Sequence, residues 1–123
     1  MPMELQSIMS WTFTQKTEPT PEIMDVLLKD EEVLAAYKTI RDVAVITDKR
    51  LIIADRQGLM GKKVEVYSIP FKSVTMWSSE NAAGAFDFNS ELTLWTKAGT
   101  FKLKLSPDVD IRELDLVIAN GAL

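Results

Sequence analysis

A chain of 123 residues fits one domain and buries about two-thirds of its unfolded surface, enough for a core without covalent staples. Its 46% hydrophobic and 26% charged residues are ordinary globular values, which sets disorder aside. The absence of cysteine and histidine removes disulfides, the usual zinc ligands and the Ser–His and Cys–His nucleophile systems, and a net charge of −4 argues against nucleic acid and anionic membrane as generic partners.

Residues 1–19 read as an N-terminal extension without an assignable role. Met3, Leu5, Ile8, Met9 and Trp11 are scattered through it, and Thr12–Pro19 is polar. No Lys or Arg precedes Trp11, so a signal-peptide n-region is lacking. No apolar run approaches the ~18 residues of a membrane span, and the expected compartment is the cytoplasm.

Residues 20–123 read as the domain proper. Thr20 is a plausible N-cap, Pro21 suits the first helical position and Glu22 complements the dipole there. Ile23, Val26 and Leu27 share one face, which predicts a helix over Thr20–Leu28. From Val33 the period changes to two. Strands are expected over Val33–Ile40, Val43–Thr47, Arg50–Asp55, Lys62–Ile69, Ser73–Ser79, Phe86–Thr96 and Phe101–Leu105. Asp48–Lys49 and Ala98–Gly99 read as hairpin turns. Ser106 or Asp108 then caps a final helix with an apolar stripe of Ile111, Leu114, Val117 and Ile118, ended by Asn120–Gly121. The fold class is mainly β (α+β). About seven antiparallel strands in series favour a meander closing into a barrel or sandwich, capped by the C-terminal helix.

The hairpin from Val43 to Asp55 has two apolar faces. Pairing Thr47 with Arg50 places Val43, Val45, Ile52 and Ala54 on one face and Ala44, Ile46, Leu51 and Ile53 on the other. One lines the core, so the other needs a cover: the Thr20–Leu28 helix, a neighbouring subunit or a foreign partner. In the last hairpin the Ala98–Gly99 turn sets Trp95 opposite Lys102. That pair reads either as local cation–π and stem packing or as an interface anchor. Trp77, outward by alternation, is a second aromatic of the same kind.

Other motifs fail their spacing tests. Asp87-x-Asn89-x-Glu91 begins like a calcium loop, but Leu92 stands where glycine is needed and Ala98 where glutamate is needed. The acidic runs Asp30-Glu31-Glu32 and Asp108-x-Asp110 read as a helix end and a helix start. Gly58 to Lys63 lacks phosphate-loop spacing and leads into a strand. No cofactor and no metal are expected.

The strand order resembles the pleckstrin-homology fold. The run TDKRLIIADRQGLMGKKVEVYSIPFKSV, Thr47 to Val74, is similar to the bacterial pleckstrin-homology-like family of unknown function. In that family a T-x-x-R-L-I strand leads through a glycine turn to a tyrosine strand ending in Ile-Pro. The likeness covers about Pro21 to Asn120. It implies a pleckstrin-homology-like barrel with an extra N-terminal helix, whose relatives form closed rings of identical subunits, plausibly pentamers. Phosphoinositide-binding relatives use a basic loop between the first two strands; here that loop is only Arg41–Asp42. The expectation is a non-catalytic module that forms a homo-oligomer and binds another protein, not an enzyme. Its interface candidates are Val43, Val45, Ile52, Ala54, Trp77 and Trp95. The alternative is lipid or small-anion binding at Lys38, Arg41, Lys62 and Lys63.

Overall fold

A computed structural model describes residues 7–40, 43–57, 63–80 and 90–123. Among the described residues there are eight strands: β1 (Ser7–Phe13), β2 (Val33–Lys38), β3 (Val43–Thr47), β4 (Arg50–Gln57), β5 (Lys63–Pro70), β6 (Val74–Glu80), β7 (Ser90–Thr96) and β8 (Gly99–Leu105). A single helical turn, α1 (Pro21–Met24), lies between β1 and β2, and α2 (Ile111–Ala122) ends the chain. The strands form two four-stranded sheets, ordered β1-β8-β7-β6 and β2-β3-β4-β5, and not the expected closed barrel of seven. At one corner the chain leaving β1 bridges the sheets: Thr14 and Thr17 donate backbone bonds to Lys38 and Ala36, and Lys38 donates one to Gln15.

Much of the supposed extension is thus part of the sheet. β1 pairs in parallel with β8, Trp11 beside Leu103 and Phe13 beside Leu105. Met9, Trp11 and Phe13 alternate with Ser10 and Thr12, the pattern of a strand with one buried face. Only long-range pairing gives that short pattern its meaning.

The β3–β4 hairpin has the expected register, Val43 opposite Ala54 and Ile46 opposite Leu51. The last hairpin differs. Its turn is Lys97–Ala98, so Trp95 faces Thr100 and Leu94 faces Phe101. Thr96 Oγ1 accepts from the Ala98 and Gly99 N–H groups at 3.0 and 3.2 Å, and Gly99 takes φ 147°, a value that favours glycine. The slip is even, so Leu92, Leu94, Leu103 and Leu105 remain on the core side, all buried.

The main core lies between the sheets and includes Phe13, Tyr37, Ile46, Leu51, Ile53, Leu92, Leu94 and Leu103. Helix α2 closes one end of it with Ile111, Leu114 and Ile118, and Val117 packs partly buried beside them. Its cap is Asp110, which accepts from Arg112 N at 3.0 Å and Glu113 N at 3.4 Å. Ser106, an expected cap, instead bonds to the end of β1: its N–H donates to Phe13 O and its hydroxyl to Thr14 O.

Gly121 lies inside α2 and does not terminate it. A Cβ there would stand 2.6 and 2.7 Å from Cδ2 and Cβ of the buried Phe71. Gly121→Ala is expected to cost about 1–3 kcal/mol through overpacking. Urea unfolding followed by tryptophan fluorescence would show this as a lower midpoint with an unchanged slope.

Candidate functional site

The reverse face of the β3–β4 hairpin is covered from within the chain. Val43, Val45, Ile52 and Ala54 form a second buried cluster with Ile23 of α1 and Ala36 of β2, edged by Leu27, Val33, Val64 and Val66. β3 is consequently buried along its whole length. These four residues, expected as an interface, are occupied by the chain's own α1 segment. Their burial follows from simple energetics: each large aliphatic withdrawn from water contributes about 1.5–3 kcal/mol, and Ile23 of α1 packs into the same cluster.

The expected helix over Thr20–Leu28 shrinks to one turn because side chains take the groups that would continue it. Arg50 Nη2 donates to the Val26 carbonyl at 2.6 Å, and the Leu28 N–H donates to Glu31 Oε1 at 3.0 Å. Glu31 is the centre of this arrangement. Its buried carboxylate accepts from Arg50 Nε and Nη2, each at 2.8 Å, and from Thr47 Oγ1 at 2.6 Å. The Arg50 bonds, with those from Thr47 and Leu28, hold the carboxyl down at about 2, against an ordinary value of 4.5. The Glu31 carboxylate in turn raises Arg50. The acidic run Asp30-Glu31-Glu32 is therefore a clasp at this position and not a cation site.

Trp77 points the opposite way from the expectation. A register break between Val74 and Met76 inverts the alternation of β6, so Met76 faces out and Trp77 packs against the core. Its Nε1 donates to Asp115 Oδ1 of α2 at 2.8 Å, and Ser79 Oγ donates to Oδ2 of the same carboxylate at 2.7 Å. Trp95 stays outside. It lies opposite the 53%-exposed Met76 on the outer face of its sheet, diagonal to Lys102 and not opposite it.

An aromatic cluster escaped the sequence reading. Trp11 stacks on Phe101 with centroids 5.9 Å apart and an interplanar angle of 10°, and meets Tyr67 at 5.9 Å and 55°. These three partly buried rings pack against the main core. Beside Phe101 is a cleft of about 450 Å³ whose lining includes Lys72, Ser73, Thr75, Thr96 and Lys97. The Ser73, Thr75 and Thr96 hydroxyls donate to backbone carbonyls at 2.7, 3.1 and 3.0 Å, which engages them within the fold.

The basic candidates are not brought together. Lys38 and Lys63 are exposed, while Arg41 and Lys62 lie outside the described residues. Lys38 ends β2 and Lys63 begins β5, three strand spacings apart, or about 14 Å. Alternation from Ala36 and Val64 also directs the two lysines to opposite faces of the sheet. Asp87 and Asn89, the Gly58–Gly61 turn and the loop after Glu80 likewise lie outside the described residues. Among the described residues no group of three or more carboxylates is placed to hold a metal, and no helix is long and apolar enough to cross a membrane.

Two outcomes follow from the covered hairpin and its clasp. Val45→Asp is expected to unfold the chain, by circular dichroism, because it buries an unpaired charge beneath α1. Glu31 binds its proton less readily folded than unfolded, so its contribution is complete above about pH 5 and lost as pH falls toward 2. That contribution is about 3 kcal/mol. Glu31→Gln should lose a comparable amount at pH 7 and flatten the acid limb of a urea-midpoint against pH curve; an unchanged limb would dismiss the clasp.

The family model described as Bacterial PH domain matches residues 3–121. The uncharacterized protein YjqA of Bacillus subtilis (strain 168) is 53% identical over 74 residues, which span 60% of this chain but only 58% of that protein. A second uncharacterized protein of that strain, YozO, is 32% identical over 93 residues, covering 76% of this chain and 80% of its own length. The crystal structure of a DUF1696 family protein with a pleckstrin-homology domain from Shewanella loihica PV-4 superposes with a TM-score of 0.77 at 34% identity, covering 89% of this chain and 97% of that one. Two packed antiparallel-rich sheets with a C-terminal helix are thus a pleckstrin-homology-like arrangement, and the chain belongs to the bacterial PH domain family.

Proposed function

We propose that this chain is a non-catalytic interaction and assembly module of the cytoplasm, which forms a closed ring of identical copies and presents a composite surface to another protein. The observation that carries this reading is the outer face of the β1-β8-β7-β6 sheet. No described element packs over it, whereas α1 covers the reverse face of the other sheet. Trp95 and Met76 sit side by side there. A large aromatic beside a methionine on an open sheet face is the composition of an interface core. A ring of five is the stoichiometry that the family resemblance suggests.

The chemistry agrees with a module that binds and does not catalyse. Among the described residues the one carboxyl held far from its ordinary value, Glu31, is locked in structural bonds and does not line the cleft beside Phe101. The lipid or small-anion alternative is disfavoured by the opposed directions of Lys38 and Lys63.

Light scattering after size exclusion, across a dilution series, tests self-association. A stable mass several times 13.8 kDa is expected, fivefold for a pentamer. Met76→Glu combined with Trp95→Glu should return the mass toward the monomer while leaving the far-ultraviolet spectrum intact. A parent that is monomeric at every concentration overturns the assembly reading.

A further inference from the structure

The cleft beside Phe101 carries donors and acceptors that the fold does not use up. It lies where the β5–β6 corner and the β7–β8 turn come together, encloses about 450 Å³, and is lined wholly by described residues. Both turns are held rigidly. Phe71 is buried beside Gly121, and its N–H donates to Lys49 O at 3.0 Å. Ser73 Oγ donates to Pro70 O, so Lys72 stands between two anchored neighbours. On the other turn Thr96 Oγ1 accepts from Ala98 and Gly99 N–H and fixes the backbone next to Lys97. Thr75 Oγ1, donating to Trp95 O at 3.1 Å, ties β6 to β7 between them.

The lining has two ammonium groups and no carboxylate, in a chain whose net charge is −4. Lys72 and Lys97 are exposed, and neither has an ion-pair or hydrogen-bond partner among the described residues. Ser68 adds a third donor. Its oxygen accepts from Arg50 Nη1 at 3.0 Å, which leaves the hydroxyl hydrogen without an acceptor among the described residues. The Ser73 and Thr75 hydroxyls are the reverse case. Their hydrogens are committed to backbone carbonyls, so toward an occupant their oxygens only accept. Ile69, Pro70 and Phe101 form the apolar wall, and stacking on Trp11 fixes the Phe101 ring.

A matching occupant brings a negative group for Lys72, Lys97 and Ser68, an apolar body for the wall, and N–H donors for Ser73 and Thr75. A carboxylate amphiphile meets the first two needs and lacks the third. A peptide meets all three where an acidic residue adjoins a bulky apolar one, because its backbone supplies the N–H groups. The cleft's volume, in the lower half of the range for ligand sites, suits a short segment and not a whole helix or strand.

We propose that this cleft docks a short segment of a partner protein in which Asp or Glu stands beside an aliphatic or aromatic side chain. This rests on the reading of the chain as a protein-binding module and names the site and the chemistry of the partner; it does not depend on ring closure.

The intact chain is panned against random dodecapeptides displayed on phage. Enriched peptides are expected to place an acidic residue next to Leu, Ile, Phe or Trp. A fluorescein-labelled peptide of that consensus should bind the Lys72→Glu, Lys97→Glu double variant roughly tenfold or more weakly by fluorescence anisotropy. The Lys38→Glu, Lys63→Glu double variant changes net charge equally and should stay within about twofold of the parent. Enriched peptides that lack acidic residues, or that bind both double variants equally well, would overturn the proposal and leave protein binding elsewhere on the chain standing. Displacement by decanoate as complete as by the unlabelled peptide at equal concentration would assign the cleft to small anionic amphiphiles and overturn it too. No enrichment over an empty support would overturn the proposal, and the light-scattering mass would still report assembly independently.

Discussion

The carboxylate of Glu31, gripped by the Arg50 guanidinium and the Thr47 hydroxyl, decides how this domain uses its most hydrophobic hairpin. Arg50 and Thr47 flank the β3–β4 turn, and Glu31 follows the α1 segment. The three side chains therefore fasten that segment to the hairpin it must cover. Ile23 enters beneath the clasp and completes the cluster with Val43, Val45, Ile52 and Ala54. A buried ion pair is not in itself strong evidence of stability, because desolvation offsets much of its attraction. Its value here is positional: both carboxylate oxygens are bonded, which holds the segment over the reverse face of the sheet.

The two ends of the main core are closed by different means. α2 seals one with its apolar stripe and is set against β6 by Asp115, which holds Trp77 and Ser79 together. At Gly121 the helix backbone comes so near Phe71 that no side chain fits between them. Elsewhere the Trp11, Phe101 and Tyr67 rings pack on the core but remain partly accessible. Once these contacts are made, no described element covers the outer face of the β1-β8-β7-β6 sheet.

This explains why strongly apolar residues were poor guides to the surface. The β3–β4 hairpin attracts notice because both its faces are hydrophobic, yet that property serves a second core within the chain. The accessible apolar pair, Met76 and Trp95, lies on strands whose outer face is otherwise polar or charged. Trp77 and Met76 exchange roles through one bulge, and a bulge has no reliable signature in a strand of ordinary composition. Stickiness in the sequence reports what must be covered, not which molecule covers it.

The amino-acid sequence alone determined the β-rich class, the terminal helix with its stripe of Ile111, Leu114, Val117 and Ile118, and the register of the β3–β4 hairpin. Those features rest on periods of 3.6 and two and on a tight turn, all local quantities. The resemblance carried by Thr47 to Val74 supplied the family. Tertiary structure decided that residues 7–13 join a sheet, that α1 stops after one turn, that Trp77 faces in, and that Val43, Val45, Ile52 and Ala54 are covered by their own chain. Each of these turns on contacts between segments far apart in sequence: a parallel β1–β8 pairing, a carboxylate reaching a guanidinium 19 residues away, an indole reaching an aspartate 38 residues away. Local patterning says which side of an element avoids water, and only the folded chain determines what it meets instead.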